Sequence, residues 1–269
     1  MDLLEAVAYA AVQGLGSALP ISASGHQLAA TIWLGGETEA ARLLPVAHFG
    51  AVLGVLMVVR RRLVVAFGQG IRSVARPSIL QSSAGGRDAL AIPVAALVAG
   101  ALQLWLQPRL AALENVPLVV GVAMLLTAAS LLSTTFAPAA RHTCPGALGA
   151  LFAGAAYGLA VVPGASQIGA AFVIMRWLSV ERWRAAELAL LISVPLIALE
   201  TTVWFAEQGS AASLFRGQAA LTLLVSFLLA ALAATWWRAL CERRRTAWLN
   251  LWLVPLSLAL LAYGRALPA

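Results

Sequence analysis

Residues 13–26 of this apolar chain hold three glycines, one proline, three serines and a histidine, so they cannot form a plain lipid-facing helix. Pro20 removes a backbone donor, and the glycines weaken helical order. In hydrocarbon every freed N–H and C=O must find a partner, so broken backbone survives only where protein or trapped water covers it. A second stretch of the same character is Val162-Pro163-Gly164-Ala165-Ser166-Gln167-Ile168-Gly169-Ala170. Two Pro/Gly-interrupted apolar segments in corresponding halves of a membrane protein point to its central site. The surroundings are apolar enough for this argument: 61% of residues are hydrophobic, 11% are charged, and the mean hydropathy is +0.88. Soluble domains are about a quarter charged. The expected class is therefore an all-α integral membrane protein, with residues 1–269 forming a single membrane domain.

Hydropathy and punctuation divide the chain further. Residues 3–13 and 25–34 are each shorter than the roughly 20 residues a span needs. We read 3–34 as a re-entrant hairpin broken at Pro20. Glu37 and Glu39 mark a polar loop. Spans follow at 43–59, 89–106 and 117–136, separated by a long loop at 60–88 and a short one at 107–116. Residues 137–145 link the halves. Residues 146–178 form a second hairpin, broken at Pro163-Gly164. A charged link with Glu181, Arg182 and Arg184 leads to spans at 188–206, 219–237 and 247–263. The expected fold is six spans plus two re-entrant hairpins. Its inverted-topology repeats cover about 3–136 and 146–263.

The arginines test this layout. All 18 basic residues are Arg. If both broken segments return to their own side, Arg60, Arg61, Arg62, Arg72, Arg76, Arg87, Arg141, Arg176, Arg182, Arg184, Arg238, Arg243, Arg244 and Arg245 share one face. Only Arg42, Arg109, Arg216 and Arg265 lie on the other. If the second segment crosses once instead, the two faces carry equal numbers. Cytoplasmic loops are Arg-rich, so the hairpin reading is favoured. It places the Arg-rich loops 60–88, 176–187 and 238–246 on the cytoplasmic side and the N-terminus outside. Trp33, Trp177, Trp204, Trp236, Trp237 and Trp248 read as interface belts. The net charge of +7 follows from the loops and implies no nucleic-acid partner. Cys144 and Cys241, without CxxC spacing, form neither a metal site nor a disulfide framework.

The motifs resemble those of the undecaprenyl-diphosphate phosphatase family, the bacitracin-resistance type of membrane phosphatase. Its first signature reads roughly E-G-x-x-E-F-L-P-x-S-S-T-G-H. Here it stands as Gln13-Gly14-Leu15-Gly16-Ser17-Ala18-Leu19-Pro20-Ile21-Ser22-Ala23-Ser24-Gly25-His26. The second, P-G-x-S-R-S-G, stands as Pro163-Gly164-Ala165-Ser166-Gln167-Ile168-Gly169. The stretches beginning at His48 and Glu187 resemble the spans after each motif. The departures concern chemistry: the two motif Glu are Gln13 and Ser17, the second Ser of S-S-T is Ala23, and the motif Arg is Gln167.

The resemblance implies a multi-pass protein of a bacterial inner membrane that removes the terminal phosphate from a polyprenyl diphosphate lipid, recycling the carrier for cell-wall synthesis. Phosphoryl transfer depends on positioning and charge stabilisation, and an arginine at the transition state can contribute about 10³–10⁵ in rate. Gln167 carries no charge, and Ser17 is no base near pH 7. His26 is then the expected nucleophile or base, with Ser22 and Ser24 beside it. Gln13, Ser17, Gly25, Ser166, Gln167 and Gly169 hold the head group, the glycines through exposed N–H groups. His48 and Glu200, within predicted spans, are cavity candidates. Arg176 follows Gln167 by nine residues, about 13 Å along a helix, too far to replace the lost cation. The resemblance allows Mg²⁺ or Ca²⁺ at the diphosphate, but no motif carboxylate remains to hold it. A homodimer is compatible with the sequence. The alternative reading is a catalytically silent homologue that binds or translocates a polyprenyl lipid.

Overall fold

The computed structural model describes residues 3–35, 37–208 and 217–267, and within them every regular element is helical. The first hairpin is α1 (Leu3–Gly16) and α2 (Ala23–Leu34). Next come α3 (Glu37–Ala75), the single turn α4 (Ile79–Ser82), α5 (Ala84–Leu110) and α6 (Pro117–Ser133). The second hairpin is α7 (Ala147–Leu159) and α8 (Gln167–Trp177), followed by α9 (Arg182–Gln208), α10 (Gly217–Glu242) and α11 (Asn250–Ala266). Five helices are long and apolar enough to cross a membrane, and the 17-residue α6 is a shorter apolar helix. Leucines such as Leu97, Leu104, Leu228 and Leu251 are exposed on them and supply a lipid-facing girdle.

Two expectations about boundaries are corrected. Glu37 and Glu39 belong to the first turn of α3, not to a polar loop. The region 60–88 is not a loop either. Arg60, Arg61 and Arg62 are good helix formers, and no proline intervenes before Pro77. So α3 runs on to Ala75, making it about 58 Å long, well beyond the bilayer core.

The arginines gather at one end of the bundle. Buried Asp88 of α5 pairs with Arg184 of α9 at 2.7 Å and with Arg62 of α3. Arg184 also pairs with Glu187 and donates from Nε to the Thr143 carbonyl at 3.0 Å. Arg238 of α10 faces Glu187 at 4.0 Å. Arg176 donates to the carbonyls of Pro138 and Val180, and Arg182 to that of Thr134. Arg109 ends α5, which starts at this network, and therefore lies at the opposite end. The whole of Arg216 and the side chains of Arg42, Trp204 and Glu207 lie outside the described residues. The second hairpin leaves from the linker bonded to Arg176, Arg182 and Arg184, whereas the first opens where α3 begins. The hairpins therefore enter from opposite ends.

Small residues set the packing. An added Cβ on Gly14 would lie 2.6 Å from the Ser226 carbonyl oxygen, so α1 and α10 touch backbone to backbone. At Gly158 the same test meets the Ala99 carbonyl oxygen at 2.8 Å, bringing α7 equally close to α5. Close approach through small residues is how membrane helices gain contact without a hydrophobic drive between them. The Ser226 hydroxyl donates across the α10–α3 interface to the Ala47 carbonyl at 2.6 Å. Trp237 is fully buried, edge-on to Phe172 at 4.9 Å, and so is no belt residue. Trp33, Trp177, Trp236 and Trp248 are about half exposed, as belts require.

Candidate active site between the hairpin tips

Both hairpins reverse in the same way. After α1 ends at Gly16, the chain turns through 17–21 and restarts at Ser22, whose φ is +67°. Ser22 Oγ accepts the Gly25 N–H at 3.2 Å and caps α2. In the second hairpin Gly164 has φ +90°, and Ser166 Oγ accepts the Gly169 N–H at 3.1 Å to cap α8. Each is a Ser-x-x-Gly cap, the hydroxyl meeting the third amide of the helix. A Cβ on Gly25 would lie 2.5 Å from Met124 Sδ, and one on Gly169 3.2 Å from Pro20 Cβ. A side chain at either glycine would make its neighbour give way. The tips are joined directly: the Gly164 N–H donates to Ser24 Oγ at 3.1 Å. The Ser166 N–H donates to Thr127 Oγ1 of α6 at 3.1 Å.

A cavity of about 330 Å³ lies at this junction. Of the residues expected from the sequence, Gln13, Ser17, Ser22, Ser24, Ser166, Gln167, His48 and Glu200 line it. Gly25, Gly169 and His26 do not. The Gly25 and Gly169 amides are occupied by the serine caps, so they are not the exposed donors the sequence suggested. The amides of residues 23, 24, 167 and 168 sit in first turns without intrahelical acceptors, at residues that line the cavity. Gln13 Nε2 donates to Ser17 Oγ at 2.7 Å, and Gln27 Nε2 donates to Gln13 Oε1. The two positions that have lost carboxylates are thus tied into one neutral hydrogen-bonded chain. Gln27, Gln107, Glu114 and Tyr157 also line the cavity and were missed. Gln107 and Glu114, beside the end of an apolar run, and Tyr157, a turn before the second break, carried a polar signal. Distance in sequence concealed their convergence.

The structure places His48 in the cavity, as expected, and His26 outside its lining. His26 bonds the Ser22 carbonyl through Nδ1 at 2.7 Å. Its Nε2 meets Trp252 Nε1 at 2.8 Å. A carbonyl only accepts and an indole N–H only donates, so His26 carries its proton on Nδ1 and both nitrogens are occupied. His48 faces the cavity and has no hydrogen-bond partner among the described residues.

No arginine or lysine lines the cavity among the described residues. Arg176 points away, bonded at the Arg-rich end. The side chains suit a resident Mg²⁺ or Ca²⁺ poorly. Such ions need six or more hard oxygens, usually including carboxylates. Among the described residues Glu114 and Glu200 are the acids lining the cavity, and no group of three His, Cys, Asp or Glu stands together. Outside the spans, burial and then the neighbouring Asp88 push the Cys144 thiol up to about 12, so it is inert.

Comparison with known proteins gives one consistent result. The sequence model of the family described as bacitracin resistance protein BacA matches residues 6–259. An undecaprenyl-diphosphatase of Desulfosudis oleivorans is 34% identical over 238 residues, 83% of this chain and 82% of the relative. One of Desulforapulum autotrophicum is 28% identical over 249 residues, 87% and 88%. One of the archaeon Korarchaeum cryptofilum is 30% identical over 200 residues, 73% and 75%.

Proposed function

The chain belongs to the bacitracin resistance protein BacA family, and on that premise we propose that it is a membrane phosphatase that removes the terminal phosphate of a polyprenyl diphosphate. The observation that carries the reading is the meeting of two capped helix N-termini at one cavity. A helix N-terminus presents free amides and the equivalent of about half a positive charge. Two of them supply about one unit where the motif arginine is missing. The diphosphate lies against the first turns of α2 and α8, with Ser24 and Gln167 as side-chain donors. Ser22 and Ser166 act mainly by holding those turns in place. An apolar groove of about 1000 Å³ between α3, α5 and α9 suits the polyprenyl tail. Two of its residues, Leu104 and Leu199, lie within a helical turn of Gln107 and Glu200, which line the cavity.

Orientation follows from charge. With the Arg-rich end cytoplasmic, the N-terminus is outside the inner membrane. The cavity is lined by Leu44, Gln107, Leu110 and Glu114, from the ends remote from those arginines. The head group is then engaged from the outer side. The halves 3–136 and 146–263 act as inverted repeats, a reading supported by matching Ser-x-x-Gly caps and by matching α1–α10 and α7–α5 contacts.

The test is phosphate release from C55 diphosphate by purified protein in detergent. Turnover above a protein-free blank is expected. Its absence, with lipid still bound, supports the silent lipid-binding homologue instead.

A further inference from the structure

The family's signature histidine has both ring nitrogens engaged, while a second imidazole stands unengaged in the cavity. We propose that the base of the hydrolytic step is His48 and that His26 is a positioning residue. This rests on the phosphatase reading above.

The candidates for a base can be taken in turn. Gln13 and Ser17 are neutral and bonded to one another, so neither accepts a proton near pH 7. The Nε2 lone pair of His26 is held by the Trp252 indole, and its Nδ1 already carries hydrogen. These bonds fasten the first turn of α2 to its own cap and to α11, which explains a histidine here without chemistry. His48 differs on each count. Its ring lines the cavity, and no described group occupies either nitrogen. Its placement is fixed from behind, because the carbonyl of the preceding Ala47 accepts the Ser226 hydroxyl at 2.6 Å. Among the described residues the other titratable groups facing this space are Glu200 from α9, Tyr157 from α7 and Glu114 from the loop after α5. Of these, Glu200 is the rival base on a neighbouring helix.

The step balances without a further reactant. A water in the cavity gives a proton to a His48 ring nitrogen as its oxygen bonds to the terminal phosphorus. The bridging P–O bond breaks, and its electron pair stays with the lipid monophosphate. Inorganic phosphate departs, and the imidazolium returns its proton to solvent.

The experiment is kcat and KM against pH for wild type, His48→Gln, His26→Gln and Glu200→Gln, each checked for folding by size exclusion and thermal unfolding. General-base catalysis contributes about 10²–10⁴, so His48→Gln is expected to lose about that factor in kcat. KM should change little, the acid-side limb of the profile should vanish, and added imidazole should restore part of the rate. His26→Gln is expected to lower the unfolding temperature and keep the limb. Carbethoxylation read by mass spectrometry gives an independent check on wild type: His48 should react and be protected by lipid monophosphate, while His26 is spared. Activity within threefold and an intact limb in His48→Gln overturn the assignment and leave the phosphatase reading standing. So does a limb that disappears with His26→Gln or Glu200→Gln instead. A silent wild type overturns the phosphatase reading and the assignment together.

Discussion

Position 167 is the sharpest probe of the proposed diphosphate site, whose described lining holds no cation. Gln167 is the first residue of α8 and lines the cavity. Substitution there changes two energies with opposite signs. Glu at a helix N-terminus is favourable by about 0.3–1 kcal/mol, and Arg is unfavourable by a similar amount. For the substrate the order reverses. A unit charge about 6 Å from a phosphate charge, at an effective dielectric of 20, is worth about 3 kcal/mol. That is roughly 100-fold. Gln167→Glu should therefore raise the unfolding temperature slightly while lowering kcat/KM for C55 diphosphate about 100-fold. Gln167→Arg should cost a little stability and raise kcat/KM at least tenfold, since a charge-assisted hydrogen bond is about twice as strong as the neutral one it replaces. The assay is phosphate release beside thermal unfolding in the same detergent. If both variants move activity in the same direction, or neither moves it by threefold, the head group does not lie at the N-terminus of α8.

Three further outcomes test the frame that holds the site. Asp88→Ala removes a charge-assisted bond from the buried Arg184, which keeps Glu187, and unpairs Arg62, so it should cost about 1.5–3 kcal/mol, whereas Arg238→Ala, at the partly exposed rim of the same network, should cost less than about 1 kcal/mol. Equal shifts in unfolding temperature contradict that hierarchy. Gly14→Ala drives a methyl into the Ser226 backbone and should cost about 1–3 kcal/mol, while Gly68→Ala, with nothing within 4 Å, should gain about 0.5–1 kcal/mol. Unfolding of the two variants side by side decides it. Cys144, its thiol pushed up to about 12, should resist iodoacetamide at pH 8 until the protein unfolds. Rapid alkylation of folded protein shows the linker to be open.

The fold was legible because its constraints are local or global, with little between. Pro20 and Pro163-Gly164 interrupt apolar runs too short to span, and that alone forces re-entrant backbone. The arginine count then selects the hairpin reading, because only hairpins bring Arg62, Arg184 and Arg238 to one end, where they meet Asp88 and Glu187. The boundaries at Glu37 and Arg60–Ala75 are not legible, because charge marks a helix leaving the membrane as readily as a loop. A helix leaving the membrane keeps its hydrogen bonds while its side chains become polar.

The site was legible only as a neighbourhood. Polar residues in a broken motif announce that they face a cavity, but not which of their lone pairs remain free. Ser22 and Ser166 spend their acceptors on Gly25 and Gly169, and His26 is held by the Ser22 carbonyl and Trp252, a residue far along the chain. Sequence reasoning ranks a histidine by the motif around it, whereas chemistry ranks it by unoccupied nitrogens. On that measure His48 stands first, although it lies in an unremarkable span. The same reasoning explains how the motif can lose Glu, Glu and Arg yet keep its Ser and Gly positions. The serine caps hold two helix N-termini at the cavity whatever charge the side chains carry. The geometry proposed to bind an anion therefore does not depend on those charged side chains.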